Sequence, residues 1–315
     1  MKREGSTPRF LTSAFHLHTC FSPRSLWLDI LFQMPTNDLL PVALTIAGFD
    51  PSGGAGIIAD TKTFTAFDCF ATAAITSLTF QNTKGIRGAA HQTAETVRAQ
   101  VLPVIEEFQV AGAKTGMLPT REIIQEVARL FRETELPAPI VDPVLRSTSG
   151  YDLIEEDALH ALIKELMPLA RLITPNIPEA EHITGLVIKD EEGMIRAAHA
   201  MREMGAHAIL VKGGHLKSRD EGGSVRDEKS RMQNAVGSRQ ETRNVLSAVD
   251  VLDDEGRVRL FRGEWIEAAE VHGTGCTLSA AIAACLARSM SLEKSIETAK
   301  DFVADAIRKT VKSEK

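Results

Sequence analysis

Beyond Pro41, the chain alternates short apolar runs with longer amphipathic ones, and this alternation limits the possible folds more than any other feature. The apolar runs are rich in Val, Ile and Thr and are bounded by Gly, Pro or Asn, as buried strands are. Alternating strands and helices predict an α/β fold with a mostly parallel central sheet and helices on both faces. The predicted strands cover 42–48, 73–78, 111–117, 139–144, 171–176 and 207–214, and the predicted helices cover 56–67, 94–108, 120–133, 156–166, 178–185 and 191–204.

The pattern changes in the last third of the chain. Residues 247–265 predict a β-hairpin that turns at "DDEG", and two helices are predicted to follow at 274–288 and 292–312. The stretch 217–243 is polar, dense in charges of both signs and poor in apolar residues, which indicates a mobile surface insertion. The sequence therefore predicts a single domain over residues 41–315 with one polar insertion.

Residues 1–40 differ in composition from the rest. Between Gly5 and Leu28 there is no Asp or Glu, although Arg9, Arg24 and several Ser, Thr, Phe and Leu residues occur. This composition resembles an organellar transit peptide. The favoured interpretation is a start assigned too far upstream, with the true start at Met34, and a folded arm is a third alternative. Disorder or a wrongly assigned start is the favoured expectation for the extension, and under all three interpretations it lies outside the catalytic core.

Charge and cysteine content exclude several classes of protein. A net charge of −6 and a pI near 5.9 argue against a nucleic-acid partner, which requires a basic face. The four cysteines form no C-x-x-C pair, and no apolar run reaches the ~18 residues of a membrane span. We expect a cytoplasmic, disulfide-free protein with small-molecule partners.

The first glycine-rich stretch is "AGFDPSGGAGIIAD" at 47–60, directly after a predicted strand. Three glycines exceed what a plain strand–helix turn requires, which favours close approach of the backbone to a ligand. The stretch matches neither G-x-G-x-x-G nor the P-loop pattern, so neither a dinucleotide site nor a P-loop is predicted. Asp60 falls in the opening turns of the next helix.

Polar side chains follow three other predicted strands. Gln81 could present a donor and an acceptor to a heterocycle, although a turn-forming role is the favoured interpretation of the residue alone. Asn176 and Glu179 fit either a helix cap or a magnesium–water site, with neither favoured. Lys212, before two glycines, suits a phosphate group.

The stretch "HGTGCT" at 272–277 precedes an alanine-rich helix. Its glycines free backbone N–H groups at a helix N-terminus, where the dipole adds about half a positive charge, so the turn predicts an anion cradle. Cys276 is either a reactive group there or a small residue that packs the helix start, whereas Cys285 is predicted to pack the helix only. Helix N-termini lower thiol pKa values, although an anion bound in such a cradle opposes this.

Seven motifs occur together in one order: "TIAGFDPSGGAGIIAD", "QNT", "TGML", "DPV", "TPNIPEAE", "KGGH" and "HGTGCTLSAA". From about Val42 to the C-terminus the chain thereby resembles the hydroxymethylpyrimidine/phosphomethylpyrimidine kinases of thiamine biosynthesis, within the ribokinase superfamily. The resemblance implies a three-layer αβα ribokinase-like fold. It also implies ATP- and Mg²⁺-dependent phosphorylation of 4-amino-5-hydroxymethyl-2-methylpyrimidine, and then of its monophosphate to the diphosphate.

The resemblance also implies roles for individual residues. Asp60 and Gln81 would hold the aminopyrimidine, with Met117 and Val144 lining its pocket. Asn176 and Glu179 would organise Mg²⁺ and its waters, with Asn176 also on the nucleotide side. Lys212 and the turn Gly273, Thr274, Gly275 and Cys276 would hold the nucleotide phosphates, and Cys276 stands where most of the superfamily has an aspartate base.

Three positions depart from the family pattern, namely Ile58, Leu145 and Thr148. The first two are expected to alter only the pocket lining, whereas Thr148 replaces a lysine of some members and puts that ligand contact in doubt. The alternatives are a pyridoxal or pyridoxine kinase and a catalytically silent ligand sensor of the same fold. The expected partners are the pyrimidine and ATP, with a homodimer as an open alternative to a monomer.

Overall fold

The structure is a computed structural model that describes residues 40–82, 85–147, 150–214, 247–264, 266 and 273–313. Leu40–Lys315 form one compact unit. The expectations for the N-terminal extension, for Thr148 and for the insertion at 217–243 concern residues outside the described ranges, apart from Leu40 at the end of the extension.

The described strands form one sheet of nine. In chain order they are β1 Val42–Phe49, β2 Phe70–Asn82, β3 Gly85–His91, β4 Val110–Thr115, β5 Ile140–Val141, β6 Leu172–Ile173, β7 Ala208–Val211, β8 Ser247–Asp254 and β9 Arg257–Glu264. Their spatial order is β3-β2-β1-β4-β5-β6-β7-β8-β9. The pairs from β2 to β7 are parallel, and β3, β8 and β9 add antiparallel strands at the two ends.

Eight helices are described among these residues. They are α1 Gly56–Ala66, α2 Ala94–Glu107, α3 Arg121–Glu133, α4 Glu156–Ala161, α5 Ile177–Thr184, α6 Glu191–Glu203, α7 Thr274–Ala287 and α8 Leu292–Ser313. The end of α4 continues as a π-helical turn and a short 3₁₀ turn up to Leu169. Several starts are capped by a side-chain oxygen that accepts an N–H three residues on, as at Thr93, Thr120 and Asp190.

Two apolar cores lie on the two faces of the sheet. One is shared with α2 to α6, and the other with α1, α7 and α8. The alternation along β7 shows the division, because Ile209 and Val211 belong to the first core and Ala208 and Leu210 to the second. The predicted α/β architecture with helices on both faces is confirmed.

The hairpin of β8 and β9 is also confirmed, and its turn at Glu255–Gly256 lies within the predicted "DDEG". The edge strand β3 is absent from the sequence-based prediction. Its sequence, "GIRGAAH", carries two glycines and an arginine and lacks the continuous apolar run of a buried strand. Within the described residues, no helix combines the length and the apolar composition needed to cross a membrane.

Candidate active site

The parallel strands bring most of the predicted site residues to one edge of the sheet. Because β2, β1, β4, β5, β6 and β7 run in the same direction, the segments that follow their carboxyl ends meet at this edge. Lys212 follows β7 and forms a bridge with Asn176, which follows β6. The N-terminus of α7 joins this edge through contacts with both glycine-rich segments described below.

The two glycine turns touch each other through their backbones. Gly273, the N-cap of α7, has φ +84°, and a Cβ atom there would lie 1.8 Å from the carbonyl oxygen of Gly54. Gly56 has φ +58°, and its Cβ would lie 2.2 Å from the carbonyl oxygen of Gly48. Both positions require glycine because any side chain would collide with backbone that cannot move aside.

The first turn of α7 has the geometry of an anion site. Thr274, Gly275 and Cys276 open the helix, where backbone N–H groups lack intrahelical acceptors, and within the described residues no side-chain hydrogen bond caps this helix start. A Cβ on Gly275 would lie 3.2 Å from the Nζ atom of Lys212. The ammonium group of Lys212 therefore lies beside the helix start, which carries the positive end of the helix dipole. Together, these two positive charges suit the binding of one phosphate group.

Lys212 is held by a carboxylate to which the sequence had not pointed. Its Nζ lies 3.0 Å from Oδ1 of Asp142, which also accepts from Thr174, while Oδ2 accepts from Ser279 of α7. Burial raises the pKa of Asp142, but the positive charges of Lys212 and Lys114 lower it by more than burial raises it. The pKa of Asp142 is therefore below its usual value. Asp142 is thus an ionised group, and its position in "DPV" after a buried strand was the available signal.

Asn176 and Glu179 form a reciprocal capping box at the start of α5. The Glu179 amide donates to Oδ1 of Asn176 at 2.9 Å, and the Asn176 amide donates to Oε2 of Glu179 at 2.8 Å. The helix-cap interpretation is therefore confirmed, and the magnesium role remains a prediction. Burial raises the pKa of Glu179 to about 7, against the lowering effect of Lys212.

Two carboxylates at this edge of the sheet, Asp142 and Glu179, are candidate ligands for a cation. The Asp142 charge is close enough to raise the pKa of Glu179, and the oxygens of both carboxylates already accept protein hydrogen bonds. No group of three or more His, Cys, Asp or Glu side chains in the described part of the chain is arranged to hold a metal directly. Two carboxylates at a phosphate site fit a magnesium ion that keeps several of its waters.

Cys276 is partly buried at the start of α7. Burial raises the pKa of its thiol to about 11, although the Lys114 charge and an N–H from Gly56 act in the opposite direction. The lower pKa expected from the helix start is therefore not found. In this structure the thiol is protonated at neutral pH.

Asp60 does not lie at the surface of the site. Its carboxylate is fully buried, with Lys114 Nζ 2.8 and 3.0 Å from its two oxygens and Thr45 Oγ1 at 2.6 Å. Burial lowers the pKa of Lys114, but the Asp60 charge outweighs this effect and the pKa rises above its usual value. Both oxygens of Asp60 are engaged by Lys114 and Thr45 in this structure, and the implied contact of Asp60 with the pyrimidine stays a prediction. Lys114 was missed, although a lysine inside a buried strand was a visible signal.

Gln81 lies near the end of β2, paired with Ile86 of β3, so the turn-forming interpretation is wrong. Its side-chain amide donates to the carboxylate of Asp50, which also accepts from the N–H groups of Ser52 and Ala55 at 2.8 Å. Burial raises the pKa of Asp50, and these hydrogen bonds bring it below its usual value. Asp50, also missed from the sequence, therefore joins Gln81 to the first glycine loop.

Met117 and Val144 follow β4 and β5. A Cβ on Gly48 would lie 2.9 Å from the Sδ atom of Met117, so this side chain packs against the end of β1 beside the glycine loop. Val144 is half-buried and donates its N–H to the carbonyl of Asp142. Both side chains thus border the strand ends at which the polar groups meet, and their predicted contact with a ring remains a prediction.

Comparison with known proteins agrees with this arrangement. A family model described as phosphomethylpyrimidine kinase matches residues 50–315. A hydroxymethylpyrimidine/phosphomethylpyrimidine kinase of Rhizobium meliloti is 42% identical over 268 residues, which cover 84% of this chain and 90% of the relative.

Two solved structures are similar over most of the chain. The crystal structure of a phosphomethylpyrimidine kinase from Clostridium difficile has a TM-score of 0.68 and 34% identity, and the match covers 85% of this chain and 99% of that one. An ADP complex of Bacillus subtilis pyridoxal kinase has a TM-score of 0.69 and 33% identity, with coverages of 84% and 90%. The chain belongs to the phosphomethylpyrimidine kinase family, with the ribokinase-like fold.

Proposed function

We propose that the protein phosphorylates 4-amino-5-hydroxymethyl-2-methylpyrimidine with ATP, and then phosphorylates the monophosphate to the diphosphate, in thiamine biosynthesis. The observation that carries this proposal is the start of α7, where the N–H groups of the first helical turn lie beside the Lys212 ammonium and the Asp142 carboxylate. Phosphoryl transfer requires mainly positioning and charge neutralisation, which this arrangement supplies.

In the first reaction the substrate hydroxyl oxygen attacks the γ-phosphorus of ATP, the bond to the ADP oxygen breaks, and the hydroxyl proton leaves. The turn Gly273–Cys276 and Lys212 would hold the phosphoryl oxygens. Cys276 is the proposed proton acceptor, positioned at the helix start by the contact between Gly273 and Gly54. Asp142 and Glu179 would hold hydrated Mg²⁺, which supplies charge neutralisation on the phosphates.

The pyrimidine ring is proposed to contact Gln81. Because the amide nitrogen of Gln81 donates to Asp50, its carbonyl oxygen is left as an acceptor for the exocyclic amino group. Met117 and Val144 would supply the apolar contacts. Asp60 is proposed to act through Lys114, by placing a fixed positive charge near Cys276.

A second candidate function is pyridoxal kinase activity, which the similarity to a solved pyridoxal kinase favours. Coupled assays that compare the kcat/KM values for the pyrimidine, its monophosphate and pyridoxal test both functions. We expect the pyrimidine to be preferred over pyridoxal and the monophosphate to be turned over. The reverse preference would assign the chain to the second function, and binding without turnover would assign it to a silent sensor.

A cytoplasmic location and a homodimer belong to the same proposal. The three cysteines of the described residues, Cys69, Cys276 and Cys285, carry free thiols, which is compatible with a reducing compartment. Sedimentation velocity distinguishes the dimer from a monomer.

A further inference from the structure

Asp250 of β8 lies at the point where β7 leaves the sheet. The ladder between these strands ends at the pair Val211 and Val251, and the chain then enters the turn of Lys212, Gly213 and Gly214. The N–H of Gly213 donates to Oδ1 of Asp250 at 2.8 Å, in a buried hydrogen bond. The Asp250 carboxylate therefore replaces the backbone carbonyl that would accept from this N–H group if the β7–β8 ladder continued.

The turn is pressed against β8. A Cβ on Gly213 would lie 1.8 Å from the carbonyl oxygen of Val249 and 2.9 Å from Cε of Met194. On the other side, the N–H of Lys212 donates to the carbonyl of Pro175 at 2.8 Å. The backbone of Lys212 is thus fixed from both sides, by Pro175 directly and by Asp250 through Gly213.

The residue Asp250 is only 7% exposed, and its charge is balanced by a cation from the C-terminal helix. Lys300 of α8 donates to its second oxygen. A buried carboxylate without such a partner is costly, so the contact with Lys300 offsets the burial of Asp250 and holds its side chain towards Gly213. The chain of contacts runs from α8 through β8 to the turn that carries the Lys212 ammonium.

We propose that Asp250 is a positioning residue for nucleotide binding: through Gly213 it holds the Lys212 ammonium at the start of α7. This role rests on the proposed kinase function, because Lys212 is assigned there to the nucleotide phosphates. Lys212 has four rotatable side-chain bonds, so a displaced backbone would move its charge away from Gly275 and weaken the phosphate contact.

Asp253 provides a matched control on the same strand. It is fully buried, accepts the N–H of Gly256 at 2.7 Å and pairs with Arg202 at 3.3 Å. Asp250 and Asp253 therefore share burial, a glycine N–H and a cation. Asp253, however, holds the β8–β9 turn, and its strand partner is Ile209 in the interior of β7.

The experiment measures the affinity of the full-length protein for Mg²⁺ and a non-hydrolysable ATP analogue by calorimetry, together with the KM values for ATP and pyrimidine. We expect Asp250→Ala to weaken analogue binding about tenfold and to raise the KM for ATP about tenfold. Loss of one buried hydrogen bond to a charged group has an effect of about this size. Its KM for pyrimidine should stay within about twofold. Asp253→Ala should lower the unfolding temperature to a similar degree and leave analogue affinity within about twofold.

Rescue provides a second comparison. The double variant Asp250→Asn/Lys300→Met removes the charge pair but keeps an oxygen for the Gly213 N–H, so we expect near wild-type affinity for the analogue. If Asp250→Ala does not fold, Asp250→Glu decides, because it keeps the charge and moves the oxygen by one methylene. Unchanged affinity in Asp250→Ala or Asp250→Glu would overturn the proposal, as would equal weakening in Asp253→Ala. A wild-type protein that binds the analogue but does not phosphorylate the pyrimidine would refute the proposed function, while the affinities still decide the role of Asp250.

Discussion

Cys276 is the residue for which the structure departs most from the chemistry expected from the sequence. At the start of a helix and near Lys114, it would be expected to ionise easily, yet burial raises its pKa to about 11. A thiolate with such a pKa is a strong base that is present in only a small fraction of molecules at neutral pH. If Cys276 accepts the hydroxyl proton, the rate of the first phosphorylation depends on that fraction.

We predict that kcat for the first phosphorylation rises about tenfold per pH unit as the pH approaches the Cys276 pKa from below. In Cys276→Ala, kcat should fall by a factor of about 10²–10⁴ and should no longer depend on pH in this way. ATP should still bind, through the glycine backbone. The second phosphorylation serves as the internal control, because its phosphate acceptor is already ionised. Near wild-type kcat for Cys276→Ala in the first step would leave the thiol with a packing role only.

Glu179 combines a structural and a proposed functional role, and Glu179→Gln separates them. Glutamine also completes a capping box, so the loss of stability should stay below about 1 kcal/mol. We expect the Mg²⁺ concentration for half-maximal activity to rise about tenfold, because loss of a carboxylate near a metal site weakens metal binding by about this factor. Thr93→Ala, which removes the N-cap of α2, is the control that lowers stability without a change in the Mg²⁺ requirement.

The same variant tests the pKa of Glu179. Its pKa of about 7 in the folded protein exceeds the usual 4.5, so the protonated form is favoured by folding. This contribution is complete below pH 4.5 and is lost as the pH rises through 7. Denaturant unfolding should therefore show wild type losing stability relative to Glu179→Gln between pH 4.5 and 7. A difference in stability that does not change over this range would contradict the raised pKa.

Among the secondary-structure elements, those with a strong local signal were predicted well. The start of α7 was found because two glycines precede an alanine-rich run, and the hairpin because a glycine turn separates two alternating strands. The ladders of β5 and β6 are shorter than their apolar runs, since the chain leaves the sheet before Asp142 and Thr174. Tertiary partners were not predictable: nothing local shows that Asp60 meets Lys114, 54 positions away.

The turn at the start of α7 depends on Gly273. Gly273→Ala would place a methyl group on the Gly54 carbonyl at φ +84°, which moves both glycine loops and the helix start. We expect a loss of about 1–3 kcal/mol in stability and about a hundredfold in kcat, since displacements near 1 Å have effects of this size.

Gly214→Ala is the matched control for this substitution. It lies in the neighbouring turn after Lys212, and no atom of the described residues lies within 4 Å of the position that its Cβ would occupy. Stability and kcat should therefore stay close to wild type. Similar losses in the two variants, measured by unfolding and by ATP turnover, would show that the Gly273–Gly54 contact has no special role.

For the whole molecule, the site depends on both helical layers. The anion cradle belongs to α7, which packs on one face of the sheet, and the capping box belongs to α5, which packs on the other. Close contact fixes α7 in place, because a Cβ on Gly112 of β4 would lie 2.7 Å from the carbonyl oxygen of Ala283. Among the described residues, the strand ends connect the anion cradle with the capping box, so the sheet sets the relative position of the two.

The first strand sets the limit for shortening the chain at its N-terminus. β1 lies between β2 and β4, and six of its eight residues are buried. The family match begins at residue 50, and the described structure begins at residue 40. A chain that starts at Met34 keeps all of β1, whereas one that starts at Gly48 loses most of a central strand.

We therefore predict that the chain starting at Met34 unfolds at the same temperature as the full chain and has the same kcat. The chain starting at Gly48 should show no cooperative unfolding, because loss of β1 would separate β3 and β2 from the rest of the sheet. Scanning calorimetry and the coupled kinase assay measure both. For a domain of this size, a fall of about 2–4 °C corresponds to about 1 kcal/mol, so a decrease of that size in the Met34 chain would mean that residues 1–33 stabilise the kinase fold.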